Sequence, residues 1–378
     1  MSSSKTETEF AELLTRIDRE VQLSPGTSYR SIGVKWYGEG AYVFQEKLGR
    51  EFQASRFELR KDDVVYNDMW ARRGSAAIVP AELDGCVCSA HFPTFEIRCD
   101  RVLPAYFRYY FRTPKFWEKC EDLATGSTGR NAVTPKRFLT ITIPLPPVPE
   151  QQRIVAWLDC LDARVSAARA LCSELRKDAA ALIASLHLNL AGKRRMKLSE
   201  IFELHEIEES VSPTGSYPQV GIRGFGGGLF QKNAVAGTDT TYRSFHRLCP
   251  DAIVLSQVKG WEGAIAVAGP ALDGWFASPE YRTFRCKPEA ALPNYIRALL
   301  PTPWFIEKLQ GLSRGQGARR QRTRPEQFLA LEMPMPTCVQ QETALAIFAK
   351  IRRAQESLPD EADLAALLPS ALAQVFGG

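Results

Sequence analysis

The sequence predicts an α+β fold made of two tandem, strand-rich mixed domains separated by two long helices that pack on each other. Three observations predict it. The 378 residues divide into two similar halves. Each half opens with short β-branched runs between Gly and Pro turn formers. Each half closes on a long helical pattern that follows a proline-containing hinge. At about 100–200 residues per domain, this length holds two domains. Hydrophobic residues are 45% and charged residues 24% of the chain, the balance of a globular protein rather than a disordered one.

The halves correspond in register at a spacing of 188 to 190 residues. Ile32-Gly33-Val34-Lys35 is matched by Val220-Gly221-Ile222-Arg223, and Leu83-Asp84-Gly85 by Leu272-Asp273-Gly274. Leu103-Pro104-Ala105-Tyr106 returns as Leu292-Pro293-Asn294-Tyr295, and Ile143-Pro144-Leu145-Pro146 as Met333-Pro334-Met335-Pro336. Solenoid repeats have periods of about 20–50 residues, so a unit this long is a duplicated domain plus its connector. The boundaries read from this plan are 1–147 for the first domain, 148–192 for the central helix, 193–336 for the second domain and 337–378 for the C-terminal helix.

Within the first half, Asp63 to Tyr66 and Ala76 to Val79 read as strands, as does Ile253 to Leu255 in the second. Leu103 to Trp117 reads as an aromatic-rich helix pair interrupted at Pro114, repeated from Leu292 to Ile306. The run Ile143 to Pro149 reads as a polyproline hinge. From Glu150 no Pro or Gly occurs before Gly192, and Ile154, Leu158, Leu161, Val165, Ala168, Cys172, Leu175, Ala179, Leu182 and Leu186 alternate at steps of four and three. That is a heptad seam on a rod of roughly 60 Å, and it requires a partner helix. Ala344, Phe348, Ile351, Gln355, Leu358, Ala362, Ala365 and Leu372 supply one, with interruptions expected at Pro359 and Pro369. Glu206 to Glu209 reads as a solvated helix face, and Gly224 to Gly228 as a tight turn.

Signatures of catalysis do not occur. There is no phosphate loop, no Gly-x-Ser-x-Gly, and no Asn/Asp-Pro-Pro-Tyr/Phe methyltransferase tetrapeptide. Nine scattered cysteines without a CxxC fit a reducing cytoplasm better than a disulfide framework or a zinc site. His91, His187, His205 and His246 are isolated and read as packing or surface residues. The polar N-terminus predicts no signal peptide, and no apolar run of about 18 residues predicts a membrane span.

Net charge is only +5, so its placement matters. A carboxylate-free window after Asp122 holds Arg130, Asn131, Lys136 and Arg137. Its counterpart after Glu307 holds Arg314, Arg319, Arg320, Arg322 and Arg324. Arg72-Arg73 and Lys259-Gly260-Trp261, each just ahead of a matched glycine, form a second basic pair. Arginine forks suit phosphates and guanine edges, and Asn67, Asn131 and Gln257 suit adenine edges. These positions favour a nucleic-acid partner over a merely solvated face.

The run Pro144-Leu-Pro-Pro-Val-Pro-Glu-Gln-Gln-Arg-Ile-Val155, entering a heptad helix after a Gly-Ser-Thr-Gly basic loop, resembles the specificity subunits of type I restriction–modification systems. The resemblance spans the chain, although the second copy, Pro334 to Gln341, lacks the Pro-Pro and Pro-Glu. It implies two target-recognition domains related by a pseudo-twofold axis, held apart by antiparallel coiled-coil helices that use Ile154, Leu158, Leu161, Val165, Leu175, Leu182, Phe348, Ile351 and Leu358. It further implies recognition of a bipartite, asymmetric DNA site, and no catalysis or bound cofactor in the chain itself. Two modification subunits would bring S-adenosylmethionine for adenine methylation, and restriction motor subunits would bring ATP and Mg²⁺. A stand-alone DNA-binding regulator, or the specificity subunit of another phage-defence system, are the alternative readings.

Overall fold

The computed structural model describes residues 6–124, 132–311 and 322–377. The chain forms two compact units, Met1–Arg169 with Asp360–Gly378, and Ala170–Pro359.

In the first unit, short strands build two sheets. One has four antiparallel strands in the order Leu14–Ile17, Thr94–Ile97, Val64–Tyr66, Ala76–Ile78. The other has five: Glu20–Val21, Arg56–Glu58, Val87–Cys88, Ser28–Val34 and Ala41–Leu48. Helix α1 (Phe10–Leu13) drops Phe10 into a core of aromatic rings supplied by α2 (Pro104–Tyr110), α3 (Pro114–Ala124) and α4 (Pro135–Phe138). Pro104, Pro114 and Pro135 each open a helix, where a missing amide costs nothing. Tyr66 stacks on Phe138 at 4.1 Å, and its hydroxyl donates to the Val133 carbonyl. Burying such a ring stabilises the fold by about 1.5–3 kcal/mol.

The second unit runs through the same kinds of element. Its four-stranded antiparallel sheet is ordered Phe202–Leu204, Tyr281–Cys286, Ile253–Ser256, Ile265–Val267. Helices α6 (Leu198–Ile201), α7 (Pro293–Leu299), α8 (Pro303–Gln310) and α9 (Pro325–Ala330) close its core around Phe202, Phe284, Tyr295 and Phe328. The acidic stretch is a strand, Ile207–Ser210, and not a helix face, because it pairs antiparallel with Ser244–Arg247, while Glu206 accepts from Arg282 at 2.8 Å. The Gly224–Gly228 run is the expected tight turn, linking the paired strands Val220–Ile222 and Leu229–Gln231.

Helix α5 is 44 residues long, Val148–Ala191, and contributes to both units. It starts two residues before Glu150: Pro149 lies in its first turn and so does not prolong the hinge. Its first part follows the expected seam, with Ile154 and Leu158 packed with Leu368, Leu372 and Phe376 of α11 (Glu361–Phe376) in the first unit. Arg169 pairs with Glu361 at 3.2 Å, so this packing is antiparallel. The second part leaves the seam. Leu175 and Leu182 are 42% and 53% exposed, while Ile183 and His187 are buried. A straight helix drifts about 20° per heptad relative to a 3.5-residue repeat, so a strict four-three stripe rotates out of one contact face. Here Ile183 packs with Ala344 and Phe348 of α10 (Cys338–Glu356), again antiparallel, since Gln340 Nε2 donates to the Leu190 carbonyl.

The C-terminal segment breaks at Pro359, where Asp360 caps α11 by accepting from the Ala362 amide. It does not break at Pro369, which lies inside α11 at an exposed position. The buried face of α11 is Leu364, Leu368, Ala371 and Leu372; Ala362 and Ala365 are exposed.

Candidate DNA interface

In the first unit the chain leaves strand Val64–Tyr66 into a tight, side-chain-capped turn. Asn67 Oδ1 accepts from the amides of Met69 (3.1 Å) and Trp70 (3.3 Å). A single 3-10 turn, Ala71–Arg73, ends at Gly74 in the left-handed region. A Cβ at Gly74 would lie 2.2 Å from the Trp117 ring of α3, so only glycine allows the turn to seat there. The turn therefore presents Arg72 and Arg73 on a rigid base. Their guanidiniums lie 5.9 Å from the Trp70 ring and 5.7 Å from the Trp36 ring, and Arg73 Nη1 donates to the Tyr37 hydroxyl at 3.1 Å. Cation–π placement of this kind orients the guanidiniums without neutralising them.

Sequence-distant basic residues are brought to the same place. The Val133 amide donates to the Asp68 carbonyl at 3.0 Å, which fixes one flank of the Gly-rich basic segment beside this turn. Lys136 and Arg137 follow at once on α4, both exposed, with Thr134 capping the helix. Arg137 also donates to the Leu123 carbonyl at 3.0 Å. Arg130 and Asn131 lie outside the described residues.

The second unit builds the same device from different side chains. Turn Gly260–Glu262 ends at Gly263, left-handed and packed under Ile306 of α8. The Thr323 amide donates to the Gln257 carbonyl at 2.8 Å, and a Cβ at Gly260 would lie 2.4 Å from Thr323 Oγ1. Trp261 and Lys259 are exposed, and Lys259 approaches Glu262 at 3.9 Å. Arg322 is paired with Glu280 at 3.2 Å, and Arg324 is exposed at the start of α9. Arg314, Arg319 and Arg320 lie outside the described residues.

Two features lay outside the sequence reading. Trp36, Tyr42, Phe44 and Trp70 are exposed aromatic residues at the face of the first unit that carries Arg73. Asn67 has a narrower role than its residue type suggests. Both lone pairs of its side-chain oxygen are used by the turn, so it can donate to a base edge but cannot form the two-bond pair with adenine. Among the described residues no cluster of His, Cys, Asp or Glu could hold a metal ion, and no helix is long and apolar enough to cross a membrane.

Residues 28–175 match the family described as Type I restriction modification DNA specificity domain. No curated protein matches the chain. Among solved structures, the HsdS subunit from Thermoanaerobacter tengcongensis is similar at 19% identity and a TM-score of 0.55, covering 100% of this chain and 98% of that one. A chain from a structure described as addressing complex assembly and conformational transition of the type I R-M system is similar at 19% identity and a TM-score of 0.65, with the same coverage. At these identities the likeness is one of fold.

Proposed function

We propose that the chain is a DNA-specificity protein of the type I restriction–modification family, whose two units each read one half of a bipartite DNA site while the chain itself does no chemistry; the matched family region and the likeness in fold support this reading. The observation that carries this reading is the repeated turn. In each unit a glycine-seated 3-10 turn puts a cation and an exposed aromatic ring beside the flank of an arginine-containing, Gly-rich segment. Arginine and lysine at such a surface supply phosphate contacts, and the exposed edges read bases. The matched positions carry Trp70, Arg72 and Arg73 in one unit and Lys259, Trp261 and Glu262 in the other. Two readers of different chemistry select two different half-sites.

Helix α5, packed antiparallel with α11 in the first unit and with α10 in the second, serves as the spacer between the two readers. Modification subunits dock on the chain and supply S-adenosylmethionine, and restriction subunits supply ATP and Mg²⁺. The neighbour described in terms of type I complex assembly supports a place in such a complex.

The test is co-expression with a modification subunit, followed by mapping of methylated adenines. One split motif is expected. Replacing Trp70–Arg73 by the second unit's turn should change one half of the motif and leave the other. Methylation without sequence preference, or none, overturns the reading.

A further inference from the structure

The five-stranded sheet of the first unit carries a groove of about 520 Å³. Its rim is aromatic: Trp36, Tyr42, Phe44 and Trp70 are 46%, 41%, 62% and 39% exposed. Its floor is the strand Ser31–Gly33, and sequence makes the recess possible. A Cβ at Gly33 would lie 2.7 Å from the Tyr42 ring, so glycine lets that ring lie against the neighbouring strand. The register shifts between Ser31 and Ile32, so Phe44 is an extra residue on the bulged strand and stands outward.

We propose that this groove binds a single nucleobase turned out of the DNA duplex. The proposal rests on the reading of the chain as a DNA-recognition protein. Paired bases present only their edges in the major groove, whereas aromatic side-chain faces bind base faces by stacking. A rim of four exposed rings around a recess is shaped for a face. The polar complement points the same way. Ser31 is 7% exposed, lines the groove, and its hydroxyl has no hydrogen-bond partner. A buried hydroxyl left in this state is costly unless a ligand completes it. Asn67, also lining the groove, has its oxygen committed to the turn and offers its NH₂ as a donor to a base carbonyl or ring nitrogen. Arg56 at the groove, with Arg72 and Arg73 on the tryptophan faces, supplies positive charge for the phosphates on either side of the base.

The site belongs to the first unit alone. At the matched positions the second unit has Gly224, Phe230, Lys232 and Lys259, and the Arg223 guanidinium covers Phe230 at 4.5 Å.

The full chain is titrated with a fully paired duplex and with the same duplex carrying one unpaired thymine, at one salt concentration. The unpaired base should tighten binding about tenfold, the scale of one base–aromatic stack. Phe44→Ala should remove most of that preference, while Phe44→Trp should keep it. Phe44 is exposed, so neither variant threatens folding; Ser31→Ala should reduce the preference severalfold by an independent route. Equal affinity of the wild-type chain for both duplexes, or a preference that survives Phe44→Ala, overturns the groove assignment while salt-dependent binding of the paired duplex stands. Failure to bind either duplex overturns the DNA-recognition reading itself.

Discussion

His187 sits on α5 with no exposed surface, its Nδ1 2.8 Å from the Tyr295 hydroxyl and its ring 4.9 Å from Trp304. Burial pushes its pKa down to about 4 from the usual 6.5. The sign of the consequence follows from proton binding. Between pH 6.5 and 4 the unfolded chain protonates this imidazole and the folded chain does not, so stability contributed by the neutral ring is full above pH 6.5 and is lost as pH falls. The loss is on the order of 3 kcal/mol across that window. Denaturant unfolding of the wild-type chain and His187→Gln at a series of pH values should show a steeper acid decline for the wild type; parallel curves would refute the assignment. The sequence marks His187 only as isolated, which is compatible with packing or with the surface. Its burial depends on Tyr295, more than a hundred residues away, and no local pattern reports that distance. Asn67 is a similar case: its residue type was legible, but the use of its oxygen by its own turn was not.

Elements were read more readily than their ends. The helix pair at Pro104 and Pro114, its repeat at Pro293 and Pro303, and the long helix after the hinge follow from proline placement and apolar spacing, which are local. The packing beyond Cys172 is not legible in the sequence, because leucine at a four-three interval marks a stripe but not which side of a drifting helix is covered. The hinge holds a second lesson. Gln151 is fully buried, and its Nε2 donates to the carbonyls of Arg101 and Pro146 while its Oε1 accepts from the Leu103 amide. Gln341 repeats all three bonds with Ala290, Pro336 and Leu292. Gln151 and Gln341, one in each hinge, are thus clamps that each join a long helix to its own unit. This also shows why the second hinge tolerates the loss of Pro-Pro and Pro-Glu: the amide that does the joining is retained. Gln151→Leu would keep the volume and strand one buried and two part-buried backbone groups, a fully buried one costing about 1–3 kcal/mol. Thermal unfolding should register a loss of about 3–5 kcal/mol, against under about 1 kcal/mol for the exposed neighbour Gln152→Leu. Equal effects would mean the clamp is incidental.

At the scale of the whole molecule, an excess of apolar surface on the second unit's part of α5 remains to be explained. Leu171, Leu175 and Leu182 are 57%, 42% and 53% exposed. Single exposed leucines need no explanation, but a run of them on one helix marks an interaction surface. On the proposed function, the chain must hold the subunit that acts on the DNA, and the exposed stripe is where that contact is expected, being separate from the face of the same helix that packs on α10. Leu175→Glu together with Leu182→Glu should leave unfolding within about 0.5 kcal/mol of wild type, as exposed positions do. Charges at the centre of an apolar interface cost several kcal/mol in binding, so the pair should abolish co-purification of a modification subunit and with it all site-specific methylation. DNA binding by the chain alone should persist, since the basic turns are untouched. Normal co-purification of the double variant would place the docking surface elsewhere, and loss of DNA binding together with loss of the partner would point to a damaged fold.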